Sequence, residues 1–360
     1  MSVRKNKKKI IILFTILSNH SFSLFEKIKI NSNRTLEIFT WSNNDKFSFG
    51  NYFNYPENEL IIHKLSLRNY IYNFKKILIT LFNKDVEVIF IPGWQYFAYI
   101  FCIVLVRILK RNVKVISGFD DIYFPNKIKH KYLLPLFGKF FRLIAPFAWV
   151  SGHYSNLFAK KMGYKDPEII PNALSASNDY EYVDAHSNTF IFIGREDYIK
   201  GLDILIKAWK VFRKEFRHWK LEIVGTNAYN DKKLNIYSHG YKDQKFISRL
   251  FSNGGFGIVP SRRDQWCVVV HEFLSSGIPA IVSSSVGCIP DFFDNDYPLK
   301  FAQDYSHENL LEKMRFAATM NKDEIFLLKK SCFKSSKSIN STKSANLFVS
   351  YFFNENQNGK

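Results

Sequence analysis

Cysteine is scarce in this chain, and the few that occur do not cluster. Cys102, Cys267, Cys288 and Cys332 form no C-x-x-C pair and no Cys/His group with metal-ligand spacing. That argues against a structural metal site or a disulfide scaffold, and free, buried thiols in a reducing compartment are the simplest account. Helix-turn-helix, RNP and zinc-finger signatures are also missing, so only net charge speaks for nucleic acid. The opening "RKNKKKIIILFTILSNHSFS" has a basic start and an apolar run, Ile10 to Leu17, but no small-x-small cleavage site. A run of that length reads as a first β-strand rather than a signal peptide. One uncharged stretch, Val88 to Val106, reaches transmembrane length, yet Pro92-Gly93 splits it. "VEVIFIPG" then reads as a buried strand and turn, "WQYFAYIFCIVLVRILKRN" as a helix with a basic end, and "VKVIS" as the next strand. No repeat of solenoid length is visible.

What is present is a 360-residue chain, long enough for two domains, with 46% hydrophobic residues to build cores. Phe (36) and Tyr (19) are abundant, and the formal net charge is +19. A charge of that size speaks to partners and not to fold: anionic membrane surfaces, phosphorylated or acidic substrates, nucleic acid. Arg4, Lys5, Lys7, Lys8 and Lys9 make a basic N-terminus, which serves equally as a solvated end or as a membrane attractant.

Strand-like and helical runs alternate along most of the chain. Lys9–Leu17, Thr35–Trp41, Val86–Ile91 and Val113–Ser117 read as strands; "FAWVSGHYSNLFAKKMG" reads as strand then helix, and "PEIIPNAL" as a short strand and turn. A polar stretch, residues 175–188, has the composition of a linker. The pattern then restarts with "TFIFIG", the helix "GLDILIKAWKVFRKEF", "KLEIVG", "FGIVP", the helix "CVVVHEFLSSG" and "IPAIVSS". In the first of those helices Leu202, Leu205, Ile206, Trp209 and Phe212 share one face. The last hundred residues are less regular, with a final helix expected in "NSTKSANLFVSYFF". The fold class is therefore α/β: two doubly wound parallel units in series, covering 1–174 and 189–339, with helix 340–360 expected to pack back on the first. Ligands of such sheets bind beyond the carboxyl ends of the strands, and a cleft faced by both units is the expected site.

Candidate chemistry gathers at the carboxyl edge of the second unit. In "FIFIGREDYIKGLDILIKAW" a strand ends at Gly194, Arg195 follows at once, and Lys200 precedes a helix that starts near Gly201. Fixed positive charge beside a helix N-terminus suits a phosphate, although a basic loop on a basic protein would look the same. In "RRDQWCVVVHEFLSSGIPAIVSSSVG", Asp264 and Glu272 flank the start of another helix at the same edge, and free N–H groups around Cys267, Val268 and Val269 can hold a phosphate. Ionised carboxylates accept hydrogen bonds from sugar hydroxyls. Singly, Asp264 also fits a helix N-cap and Glu272 an exposed helix residue or ion pair. Together, cations for a diphosphate and carboxylates for hydroxyls describe a nucleotide-sugar site.

On these motifs, residues 190–293 resemble the donor domain of the GT-B glycosyltransferases, and within them the retaining family 4, the "glycosyl transferases group 1" type. The G-R-x(4)-K-G element is matched by Gly194, Arg195, Lys200 and Gly201. The E-x(7)-E element and the G-x-P after it are matched by Asp264, Glu272, Gly277 and Pro279; "IIPNAL" resembles the P-N-G element before the linker. The resemblance implies two Rossmann-like domains facing a cleft. It implies that Arg195 and Lys200 hold the donor diphosphate, that Glu272 binds the ribose, and that Asp264 lies at the transferred sugar. It also implies metal independence, with no cofactor beyond the nucleotide-sugar substrate.

The chain departs from the pattern in places. The first acid is Asp where Glu is usual, Trp266-Cys267 stands for Phe-Gly, and the first strand leads into "SNHSFS" without a glycine, where Asn19 and His20 are weak candidates. In "GFDDIYFP", Asp120 stands roughly where a His is usual; it serves either to orient sugar or acceptor or as a strand-end turn former. With front-face departure the leaving diphosphate itself takes the acceptor proton, and no separate base is needed.

The expected function is transfer of a sugar, with retention, to a surface polysaccharide, lipopolysaccharide or lipid-linked glycan. The expected place is peripheral, on the cytoplasmic membrane's inner face, against anionic lipid and with no nucleic acid partner. Two alternatives stay open: a non-catalytic basic membrane- or nucleic-acid-binding protein on the same fold, and another GT-B enzyme such as a phosphorylase or epimerase.

Overall fold

The computed structural model describes residues 7–15, 17–41, 60–65, 69–94, 96–109, 112–124, 126–176, 180–304 and 306–353. Arg4 and Lys5 of the basic N-terminus, and residues 354–360 of the expected last helix, lie outside them. The chain divides into two compact units: Met1–Asn178 with Ser341–Lys360, and Asp179–Asn340.

The first unit runs β1 (Lys9–Phe14), α1 (Asn19–Ser32), β2 (Thr35–Trp41), β3 (Ile61–Leu65), α2 (Tyr70–Leu81), β4 (Val86–Ile91), α3 (Phe97–Ile108), β5 (Lys114–Phe119), α4 (Leu134–Ile144), β6 (Phe147–Val150), α5 (His153–Lys161) and β7 (Ile169–Ile170). Its strands form one parallel sheet in the order β3-β2-β1-β4-β5-β6-β7. Ile10 to Leu13 are fully buried, as a strand covered on both faces requires. The uncharged Val88–Val106 stretch is β4, a turn at Gly93 (φ 73°) and part of α3. Among the described residues no helix is long and apolar enough to cross a membrane. Where a glycine-free loop was expected, α1 begins at Asn19, because the Ser18 hydroxyl caps it by accepting from the Ser21 N–H.

The second unit runs β8 (Thr189–Ile193), α6 (Leu202–Glu215), β9 (Lys220–Val224), β10 (Ile236–Ser238), α7 (Gln244–Phe251), β11 (Phe256–Val259), α8 (Val268–Ser275), β12 (Ala280–Ser283), α9 (Ile289–Phe292), β13 (Lys300–Phe301), α10 (Glu308–Thr319) and α11 (Lys322–Ser336). The parallel order is β10-β9-β8-β11-β12-β13. The whole apolar face of α6 read from the sequence is buried, Leu202 and Phe212 included. The last helix, α12 (Ser341–Phe353), lies against α1 of the first unit, with Phe348 on Trp149 at 5.0 Å between ring centroids.

The stretch 175–188 is not a free tether over residues 180–188. Val183 N–H donates to Ser276 O at 3.0 Å, the buried Lys329 ammonium donates to Asp184 O and Ala185 O, and Tyr182 rests on Phe333. Polar composition hid this packing, because the contacts are made by backbone carbonyls and tyrosine rings.

Candidate active site

In the second sheet the strand order reverses between β8 and β11, and in an open parallel sheet the ligand crevice lies beyond the carboxyl ends at that reversal. The loop leaving β8 is Gly194–Gly201, and the loop leaving β11 is Pro260–Cys267. Both sequence elements singled out above therefore arrive at the switch point of one sheet.

The two loops are locked together. Gly201 has φ 71°, and a Cβ there would stand 2.2 Å from the Pro260 carbonyl oxygen, so only glycine lets them pass. The Arg262 N–H donates to Ile199 O at 2.8 Å, and its guanidinium reaches the Asp203 carboxylate through two bonds of 2.7 Å while lying 3.8 Å over the Tyr198 ring. That fork holds the start of α6. Lys200 Nζ, delivered by this loop, donates to Asp264 Oδ2 at 2.5 Å. Burial works against the ammonium, but the carboxylates of Asp264 and Asp197 outweigh it and raise its pKa above the ordinary lysine value. Asp264 is held by its own backbone: its N–H donates to Ser285 O at 3.2 Å and its carbonyl accepts from Gly287 N–H at 3.0 Å. It does not cap α8.

The residue before α8 is Cys267, with φ 68° and ψ 77°, a left-handed conformation that L side chains rarely adopt. The backbone there keeps a glycine-type path although the residue is cysteine. Burial pushes the thiol pKa up, so it stays protonated and is no nucleophile. All four cysteines are free and buried. Val268 and Val269 start α8, where N–H groups have no intrahelical acceptor and face the helix's positive end.

Glu272 lies one turn further along α8. Burial pushes its carboxyl up to about 7, against the lowering effect of the adjacent Tyr180 hydroxyl. Tyr180 is itself buried, with its ring on Phe251 at 5.7 Å; its hydroxyl stands beside Glu272 without closing a hydrogen bond of normal geometry. Arg195 lies on the other side of the loop, 3.2 Å from Asp197 Oδ2. It opens onto a cavity of about 380 Å³ lined also by Gly225, Thr226, Asn227, Gly240 and Tyr241. Gly225, with φ 108°, lets the β9 edge pass the Gly194 carbonyl, where a Cβ would come to 2.3 Å.

The structure thus joins Lys200, Asp264 and Cys267, places Arg195 on the neighbouring cavity, and sets Glu272 against Tyr180. Asp120 belongs to the first unit, exposed just after β5. His20, also in the first unit, accepts or donates at Ser18 Oγ (2.8 Å), and burial lowers its pKa to about 4, so it is neutral. Sequence reading missed Tyr180, Arg262 and the Thr226–Tyr241 wall. Arg262 had a signal, its place beside Asp264; Tyr180 had none, since it sits in a polar stretch.

Residues 182–325 match the family model of glycosyl transferases group 1. An uncharacterised glycosyltransferase of Haemophilus influenzae is 26% identical over 119 residues, 31% of this chain and 33% of that protein's length. Among solved structures, a glycosyltransferase of Rickettsia africae superposes with TM-score 0.70 at 12% identity, covering 97% of this chain and all (100%) of that one. An Anabaena protein in complex with UDP and glucose gives TM-score 0.70 at 12% identity, covering 95% and 98%. An Escherichia coli structure described as trehalose-6-phosphate, bound with UDP-2-fluoro glucose, gives 0.68 at 10%, covering 95% and 98%. The fold is that of the GT-B glycosyltransferases, with two Rossmann-like domains.

Proposed function

We propose that the protein is a retaining glycosyltransferase that takes a nucleotide-sugar donor in the second unit. The observation that carries this reading is the Lys200–Asp264 pair at the sheet's switch point, with Arg195 on the neighbouring cavity and α8 starting just after Asp264 in the chain. In this reading Arg195, Lys200 and the N–H groups of Cys267, Val268 and Val269 take the diphosphate, and no metal is required because the cations replace one. Gly194 keeps the approach open. Glu272 accepts from the ribose hydroxyls, and Asp264 faces the transferred sugar. The bond from the anomeric carbon to the diphosphate breaks, the acceptor oxygen bonds on the same face, and the acceptor proton passes to the departing diphosphate. Asp120 is assigned the orienting of sugar or acceptor.

UDP is the nucleotide to try first, since the Anabaena and E. coli proteins were solved with UDP or a UDP-sugar. The acceptor is a surface polysaccharide, lipopolysaccharide or lipid-linked glycan at the inner face of the cytoplasmic membrane, a place the +19 charge favours. The test is a thermal-shift panel of UDP, GDP, ADP and CMP with their sugars, on wild type and Lys200→Ala. At about a hundred times its dissociation constant a ligand adds roughly 2.7 kcal/mol. A shift with one nucleotide, lost in the variant, supports the reading. A folded protein that shifts with none of them overturns it in favour of a non-catalytic basic binder.

A further inference from the structure

Helices α2, α3 and α4 lie side by side over one face of the first sheet. Their inward residues, among them Ile77, Ile103, Val106 and Phe141, join one core cluster. Phe74 of α2 meets Phe101 of α3 at 5.7 Å, and Arg107 of α3 donates to Ile144 O at the end of α4 at 3.1 Å. Their outward faces therefore form one continuous surface. It is apolar where solvent should make it polar.

On α4 the buried positions are Leu134, Gly138, Phe141 and Ile144, yet Leu136, Phe140 and Leu143 on the opposite side are 68%, 53% and 74% exposed. Phe97 on α3 and Ile71 on α2 are each 83% exposed. Single exposed apolar residues are ordinary, but an outward stripe on three adjacent helices is not. The charge on this face has one sign. Lys75, Lys129, Lys131 and Lys139 are exposed on it, and α2, α3 and the turn leading into α4 with α4 itself contain no Asp or Glu.

We infer that the α2–α3–α4 face docks on an anionic lipid bilayer. The apolar side chains enter the acyl boundary, and the lysines keep their charged heads among the phosphates. A second copy of a +19 chain would bring lysine to lysine, whereas an anionic bilayer supplies the opposite charge. This deepens the acceptor side of the proposed function, but donor binding in the second unit is measured separately.

The experiment is co-sedimentation of the full chain with vesicles of phosphatidylcholine alone and of phosphatidylcholine mixed with phosphatidylglycerol. Variants are Leu136→Ser with Phe140→Ser, and Lys131→Glu with Lys139→Glu; all four positions are exposed, so folding is spared. Wild type should sediment with the anionic vesicles only, and less as salt rises. The lysine variant should lose roughly fivefold in partition coefficient per positive charge removed, and the serine variant should lose at least as much in total. A wild type that stays in the supernatant with both vesicles overturns the inference, and so do variants that bind as wild type does. Dimerisation abolished by the same substitutions would assign the face to self-association instead. A UDP thermal shift on each variant tells a failure here from a failure of the donor site.

Discussion

Lys200 Nζ lies 2.5 Å from Asp264 Oδ2, so in the free protein the cation expected to take a phosphate is held by the carboxylate expected to face the sugar. A donor diphosphate has to compete with Asp264 for that ammonium. Asp264→Asn removes the competitor and keeps the shape. A partly exposed ion pair is worth up to about 1 kcal/mol, so UDP should bind the variant up to roughly fivefold tighter. Sugar transfer should fall by at least about a hundredfold, because the charge beside the reacting sugar is gone. Titration calorimetry and a turnover assay separate the two effects. Weaker UDP binding with intact turnover would remove Asp264 from the chemistry.

Glu272 makes affinity and stability depend on pH in opposite senses. Burial raises its folded pKa to about 7 from an ordinary value near 4.5. The folded state thus holds the proton more tightly than the unfolded chain. Its contribution to stability is fully present below about pH 4.5 and is lost as pH rises through 7, on the order of 3 kcal/mol in all. Nucleotide affinity should move the other way, because the ionised carboxylate is the better acceptor for ribose hydroxyls. UDP should bind several-fold more tightly at pH 8 than at pH 6. In Glu272→Gln both slopes should flatten. An unchanged slope in that variant would place the titrating group elsewhere.

Most of the parallel strands were legible because burial on both faces writes itself as runs such as Ile10–Leu13 and Phe190–Phe192, whereas the short edge strands β3, β10 and β13 carry no such run and were not. Arg195, Lys200 and Asp264 could be placed on loops because glycines and strand ends punctuate them, and Glu272 on α8 because Gly277 stops that helix. Helices α10 and α11 were not. In α11 the buried face is Ile325, Lys329, Cys332 and Ser336, and a buried lysine and serine erase the apolar period. The Tyr180–Glu272 neighbourhood was invisible for another reason: it joins two residues far apart in sequence, one of them in a stretch whose composition says only that it is polar.

Gly201 can be tested as a joint. Its left-handed φ and the Pro260 carbonyl 2.2 Å from a would-be Cβ oppose any side chain. Gly201→Ala should cost about 3 kcal/mol or more, read as a lower urea midpoint. Because the joint sets Lys200 against Asp264, UDP affinity of the folded fraction should also drop. Gly201→Ala with wild-type stability would show that the two loops are free to separate.

Cys267 offers the opposite case, a side chain where the backbone wants none. Substituting Gly or Ala removes the buried thiol in both variants, so comparing the two isolates the cost of a Cβ at φ 68°. In an ordinary helix or strand the alanine variant would be the more stable. Here the glycine variant should be more stable by about 1 kcal/mol, the left-handed penalty of an L residue. Urea unfolding of the pair measures this directly. If alanine proves the more stable, the backbone at 267 is not left-handed in solution, and the approach of Val268 and Val269 to a phosphate has to be rebuilt. If glycine wins and UDP affinity is kept, the thiol is dispensable and the conformation of the chain at this point is what the site requires.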